Sequence, residues 1–320
     1  LAPVGGGVAV VAACALVVNG LGGTTPAATP GPGSAPISGH ALSGTDPLVS
    51  IGTFGWLPDG FQVSSITAGP DYGDEVTAAT KPVEESVGPV TPPRLTLTRT
   101  ATEGNLPKYE TKEPTTVKGS QKAYFVVNPG DAPDIPADLS LTWQTADGSW
   151  YNLGGDYAIH GDELKALLKK VAEAAHTGQT PVPMPFHVEG LPKDVTLGEA
   201  MLDDPAVVGQ DGFSAGLLYQ IGDPAMPTAM FGIEVTPISQ KSPTAPSSSL
   251  GNVSPGMPAI SPAKKADVCK DSNGLHICVS ETPSRDGKSA LASVGGAKAL
   301  LDRITSLGTD RANWTTHVVN

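Results

Sequence analysis

Cys269 and Cys278 flank an Asn273-Gly274 pair, and that pair suits the two positive φ angles of a type I′ hairpin turn. A two-residue turn sets Ser272 against Leu275, Asp271 against His276, Lys270 against Ile277 and Cys269 against Cys278. Cross-strand pairs alternate outward from the hydrogen-bonded one beside the turn. The cysteines therefore take a non-hydrogen-bonded site, where Cα atoms stand about 4.5 Å apart. That separation is within reach of a disulfide, and a disulfide is the expectation. A reduced buried pair and half of a metal site are the rival readings. Zinc normally takes four ligands at short spacings; here His276, on the same face as the cysteines, is the nearest further ligand. No metal and no cofactor is expected.

Other reactive patterns are weaker. Gly212-Phe213-Ser214-Ala215-Gly216 matches the nucleophile elbow of α/β-hydrolases. That elbow needs a strand before the serine and a helix after it, whereas the residues from Gly216 onward read as a strand. Gly287-Lys288-Ser289 ends like a phosphate-binding loop, but Thr282 stands where the first glycine is required. The histidines at 40, 160, 176, 187, 276 and 317 form no HExxH or other ligand spacing. Asp203-Asp204 and Glu84-Glu85 read as solvated loop charges. No catalytic residue is assigned.

Aromatic side chains offer a further surface. The four tryptophans are Trp56, Trp143, Trp150 and Trp314. A two-residue turn at Asp147-Gly148 sets Trp143 opposite Asn152 and Trp150 opposite Thr145, which puts the two indoles on opposite faces of the hairpin. Packing is the plain reading for such residues. Trp56, Trp143, Trp150 and Tyr151 are the candidate ligand or partner surface, because aromatic rings left outside a core mark contact sites.

The elements that position these residues recur along the chain. Trp56-Leu57-Pro58-Asp59-Gly60 is echoed by Gly190-Leu191-Pro192-Lys193-Asp194, and the Asp147-Gly148 hairpin by the Asn273-Gly274 hairpin. A helical stripe at Leu164, Leu167, Leu168, Val171, Ala172 and Ala175 is echoed at Ala297, Leu300, Leu301 and Ile304, with Gly308 as the stop. Three landmarks in the same order at nearly constant spacing read as an internal repeat. Strands are expected over 62–67, 94–99, 123–127, 216–221 and 230–235. The expected fold class is α+β: two tandem copies of an antiparallel sheet, each covered by one helix.

Charge is absent from the first 45 residues, and Asp46 is the first ionisable carboxylate. Residues 1–19 are apolar and just long enough to cross a bilayer. They read as an anchor, as a cleaved signal with Ala13-Cys14-Ala15 at the site, or as a lipoprotein signal with Val11-Ala12-Ala13-Cys14. Residues 20–46, rich in Gly, Pro, Ala and Thr, read as a tether. The first α+β repeat is expected at 47–180 and the second at 181–320, with a disordered Pro/Ser-rich insertion at about 238–265. Charged residues are 16 % of the chain and the net charge is −12. An acidic surface repels phosphate backbones, so nucleic acid is not an expected partner.

The Trp56-Leu57-Pro58-Asp59-Gly60-Phe61 opening resembles extracytoplasmic domains of Gram-positive single-pass membrane proteins or lipoproteins, including domains attached to anti-sigma factors. The Leu141 to Trp150 hairpin and its helix share that resemblance, which spans residues 56–175. It implies a tether followed by a sheet-and-helix unit, and it brings no catalytic residues. The expectation is a membrane-tethered extracytoplasmic binding or sensing protein without catalytic activity, held at the cell membrane with the bulk of the chain outside. Its partners would be the membrane, through the N-terminal segment, and an envelope protein or small apolar ligand. A secreted serine hydrolase using Ser214 and a lipid-carrying envelope module are the alternatives.

Overall fold

The structure, a computed structural model, describes residues 46–69, 74–81, 84–85, 88–89, 93–100, 102–103, 110–128, 138–156, 159–191, 193–204, 212–223, 226–240, 267–282, 284 and 287–320. The expected anchor, the tether, Cys14 and nearly all of the expected insertion lie outside the described residues. Among the described residues no helix is long and apolar enough to cross a membrane.

The first half runs β1 (Val49–Thr53), β2 (Gln62–Ala68), β3 (Asp74–Ala79), a short pair β4 (Glu84–Glu85) and β5 (Gly88–Pro89), then β6 (Arg94–Thr100), β7 (Thr111–Pro114), β8 (Lys122–Asn128), β9 (Asp138–Gln144) and β10 (Trp150–Gly154). Helix α1 (Gly161–Ala174) and β11 (His176–Pro181) complete it. The second half runs β12 (Phe186–Val188), β13 (Val195–Asp203), β14 (Ser214–Asp223), β15 (Met226–Pro237), β16 (Val268–Ser272) and β17 (Leu275–Thr282), then α2 (Ala297–Asp302) and β18 (Ile304–Ser306).

Both halves share one antiparallel sheet of 12 strands, in the order β16-β17-β15-β14-β13-β2-β3-β6-β10-β9-β8-β7. The halves join where β2 pairs with β13, Thr67 opposite Met201. Short pairs, β1 with β11 and β12 with β18, accompany the main sheet. The class is thus α+β with a dominant antiparallel sheet.

Alternation assigns the two faces. In β6, Leu95 and Leu97 are buried while Thr96 and Thr98 are half-buried. Leu95, Leu97, Leu141, Leu153 and Val76 form one apolar core with Leu164, Leu168, Val171 and Ala172 of α1. That helix packs on β9 and β10. Asp162 and Glu163 occupy its first turn, where carboxylates suit the exposed backbone N–H groups. Leu217, Ile233, Phe231, Ile277 and Val279 form a second core with Leu300 and Leu301 of α2. Ile66 touches both cores, so the apolar layer is continuous along one face. Burying each such leucine or isoleucine contributes about 1.5–3 kcal/mol.

Three expectations are corrected. The Asp147-Gly148 turn is not a two-residue turn: Thr145 N–H donates to Ser149 O and Gly148 N–H to Thr145 O. Gly148 has φ 88°, so the loop holds three residues and ends on a left-handed glycine. The register shifts by one, Trp143 opposite Tyr151 and Trp150 opposite Gln144, although the indoles still lie on opposite faces. The second correction is to α2, which stops at Asp302; Ile304 instead pairs with Val188, and Gly308 lies beyond β18. A β-branched Ile304-Thr305 step that finds a strand partner outcompetes one more helical turn. The third concerns Asp203 and Asp204. Asp203 ends β13 half-buried, and Asp204 accepts from Arg311 Nη2 at 2.7 Å, so neither is a free loop charge.

Candidate functional site

Helices α1 and α2 and the β1–β11 and β12–β18 pairs share one face of the sheet. The opposite face carries no helix among the described residues, and its side chains follow from the register. One row crosses the sheet as Cys269, Cys278, Glu234, Gly216, Met201, Thr67, Glu75, Thr98, Asn152, Thr142 and Tyr124. The adjoining row holds Asp203, Ser65, Thr77 and Thr96. Hydroxyl, amide and carboxylate groups thus dominate the centre of this face.

These polar groups hold one another. Asn152 Nδ2 donates to Ser140 Oγ at 3.0 Å and to Thr142 Oγ1 at 2.9 Å. Thr77 Oγ1 donates to Glu75 Oε1 at 2.9 Å and lies 3.5 Å from Thr96 Oγ1. Near the junction of the halves, burial raises the pKa of Glu199, and the charge of Asp203 raises it further. Burial likewise raises Asp203 above the usual aspartate range. Perturbed carboxylates on an uncovered surface mark a place where charge can be met by a partner.

The outer strands of the first half carry an aromatic and cationic cluster on the same face. Trp150 packs on Tyr124, ring centroids 6.3 Å apart, with Val126 beside them. Lys112 lies 4.5 Å from the Tyr124 ring centroid and Lys122 lies 5.4 Å from that of Trp150. Glu103 bridges both lysines at 2.5 and 2.7 Å. Those hydrogen bonds, that of Lys112 first, hold Glu103 down to about 2. Desolvation, then the bond to Glu103, pushes Tyr124 up to about 12.

The four expected surface aromatics therefore do not form one patch. Trp143 and Tyr151 stack on each other at 5.6 Å in the core under α1, 2 % and 3 % exposed, and Tyr151 Oη donates to Ile51 O. Trp56 is half-buried on that side with Lys170 Nζ 3.6 Å from its ring centroid. Of the four, Trp150 alone belongs to the uncovered face, and it is itself mostly buried. Ser214 opens β14 opposite Asp203, and a strand follows it, so the strand-turn-helix of a nucleophile elbow is not formed.

At the far edge the Asn273-Gly274 turn has φ 48° and 79°, and Cys269 pairs with Cys278 as expected. The two form a disulfide with a Cα separation of 4.1 Å. Asp271 Oδ1 lies 2.5 Å from His276 Nδ1, and His276 Nε2 lies 3.2 Å from Cys278 Sγ. Ligand atoms of Cys269, His276 and Cys278 fall within 4.8 Å of one another. Bonded disulfide sulfurs are not thiolates, however, and this set offers a metal a single imidazole.

Among the described residues, fold and surface together define a β-rich α+β module: one face covered by helices and short strand pairs, the other a broad polar sheet. No family model matches the chain, and no curated protein matches it. Among solved structures it is similar to a chain of the Pseudomonas aeruginosa MucA/MucB complex, with 10 % identity and a TM-score of 0.22, covering 77 % of this chain and 93 % of that one. A likeness at that level assigns neither a fold family nor a partner.

Proposed function

We propose that this protein is a membrane-tethered, extracytoplasmic binding or sensing module, made of two copies of one antiparallel unit, that presents its uncovered sheet face to a polar partner. The observation that carries the reading is that, among the described residues, α1 and α2 lie on one face of a 12-stranded sheet and no helix lies on the other. A sheet face needs no covering if it is polar. Here that face gathers hydroxyls, amides and two carboxylates with raised pKa values over a breadth that suits a partner surface better than a small cleft.

Duplication is supported by the strand order. Outward from the junction the sheet runs β2-β3-β6-β10-β9 in one half and β13-β14-β15-β17-β16 in the other. In each half a helix follows, and the last strand returns to pair with the first. A tether is supported by the uncharged apolar residues 1–19 and the Gly- and Pro-rich stretch behind them. The Cys269–Cys278 bond suits an oxidising exterior.

Photo-crosslinking in cells tests the reading. A photoreactive residue replaces Thr67 or Thr98 on the uncovered face, or Glu163 on the exposed side of α1, in the full chain. The same crosslinked partner is expected from Thr67 and Thr98 and none from Glu163, with the product in the membrane fraction. Equal capture from Glu163, or product in the cytosol, would reject the proposal.

A further inference from the structure

We propose that Cys269–Cys278 is a thiol–disulfide exchange site: His276 gives a proton to the departing Cys278 sulfur, and Asp271 is the positioning residue for the imidazole. This goes beyond the binding reading and does not rest on it.

Geometry carries the assignment. A carboxylate can only accept, so the 2.5 Å contact from Asp271 Oδ1 fixes the Nδ1 proton of His276. Nε2 is then the nitrogen that gains and loses a proton, and it lies 3.2 Å from Cys278 Sγ. The two sulfurs are not equivalent. Cys269 sits exposed on β16, the terminal strand of the sheet, whereas Cys278 is half-buried with β15 on its other side. An incoming thiolate meets Cys269, and the leaving sulfur is the one that faces the imidazole. A bond that only stapled the hairpin would have no use for that asymmetry.

The reductant is an external dithiol. Its thiolate attacks Cys269 Sγ, forming a mixed disulfide. The Cys269–Cys278 bond breaks, and its electron pair goes to Cys278 Sγ, which takes the Nε2 proton of His276. The second thiol of the reagent then attacks its own sulfur in the mixed disulfide and releases Cys269, which takes a proton from water. The protein disulfide gains two electrons and becomes two thiols; the dithiol loses two and becomes a disulfide. In reverse, neutral Nε2 accepts the Cys278 proton and frees the attacking thiolate. Among the described residues, Glu234 on β15, beside Cys278, and Asp267, just ahead of β16, are the further charges on this face of the hairpin and its neighbour. A dithiol bearing no other negative charge avoids repulsion from these carboxylates and from Asp271.

Dithiothreitol is therefore the probe. The oxidised full chain is reduced with chelator present, quenched in acid and alkylated, and the peptides bearing Cys269 and Cys278 are read by mass, so that Cys14 does not contribute. A positioned acid contributes about 10²-fold or more in general, and a thiolate, being a good leaving group, needs less help, so about tenfold is expected here. Per dithiothreitol thiolate, wild type should react about tenfold faster at pH 6 than His276→Gln, and the advantage should be smaller at pH 8.5, because general-acid help needs a protonated acid. Asp271→Asn should fall between them, and Ser280→Ala, on the same strand and face, should keep the wild-type rate and slope. Matching urea midpoints of the oxidised variants establish that each is folded. Equal rate constants for wild type and His276→Gln, or the same pH slope in both, would overturn the assignment.

Discussion

Replacing Arg99 with Met should cost more stability than removing Arg99 and Asp74 together. The two are cross-strand partners on β6 and β3, on the helix-covered side, with Tyr151 of β10 next in the row. Arg99 Nη2 donates to Asp74 Oδ2 at 2.5 Å, and the side chains are 10 % and 9 % exposed. From β11, the Gln179 side-chain oxygen, turned toward the guanidinium, accepts from Nη2 at 3.1 Å. With charges roughly 4 Å apart and an effective dielectric near 20, the attraction is about 4 kcal/mol. Removing one partner leaves the carboxylate buried without its guanidinium, a loss of about 3–5 kcal/mol. Arg99→Met with Asp74→Leu removes both desolvation costs and should return to within about 1 kcal/mol of wild type. Urea unfolding followed by tryptophan fluorescence reads the difference. With a slope near 3 kcal/mol/M, the single variant should lose about 1 M or more in midpoint. A single variant within about 0.3 M of wild type, or a double variant no better than the single, would refute the reasoning.

Three further outcomes follow from the same geometry. Glu199 and Asp203 have folded-state pKa values raised by burial, so the folded chain takes up their protons before the unfolded chain does, and stability gains as pH falls through the folded values. Glu199→Gln with Asp203→Asn should therefore raise the urea midpoint at pH 7, and the gain should disappear near and below the usual carboxylate range; no gain at pH 7 would argue against burial of the charges. Gly148→Ala should cost about 1 kcal/mol, read as a lowered melting temperature, because φ 88° is strained for a residue with a Cβ even where nothing crowds it. Trp143→Ala should cost about 3–5 kcal/mol by chemical denaturation, and a near-native midpoint would contradict its place in the core.

Local chemistry made some elements legible. Asn-Gly has one dominant hairpin geometry, and the pairing of Cys269 with Cys278 followed residue by residue. Asp-Gly did not, because Asp147 Oδ1 accepts from Ser149 N–H at 3.1 Å and from Thr145 Oγ1 at 2.5 Å, which stabilises a longer loop than the dipeptide alone suggests. The stripe of α1 was readable because Leu164, Leu168 and Val171 all point at one sheet. Strands held by their neighbours were not. β3 reads Asp-Glu-Val-Thr-Ala-Ala, a poor strand by propensity, and it exists because β2 and β6 pair with it on both sides. β13 has its alternation thrown out of phase where the register shifts between Leu197 and Glu199, so no window of the sequence shows the period of two.

The candidate site was partly legible for the same reasons. Asp271 opposite His276, and His276 on the face of the cysteines, both follow from the turn. Alternation along β17 puts His276 and Cys278 side by side on one face, but only a chosen ring orientation brings Nε2 to the sulfur. The carboxylate supplies that choice from the neighbouring strand. The polar face as a whole was hidden for a different reason: Thr67, Glu75, Thr98 and Asn152 lie on four strands spread from β2 to β10, and only the sheet order makes them a row. A terminal strand needs protection against pairing with another chain. β7 carries Lys112, Glu113 and Pro114, the ordinary defence. β16 carries Lys270 and Asp271 together with a cross-strand bond. If that bond is the exchange site, reducing it loosens an edge of the sheet that continues directly into the polar face. A redox event there would then be transmitted to the proposed partner surface through β17 and β15, the strands that carry Cys278 and Glu234.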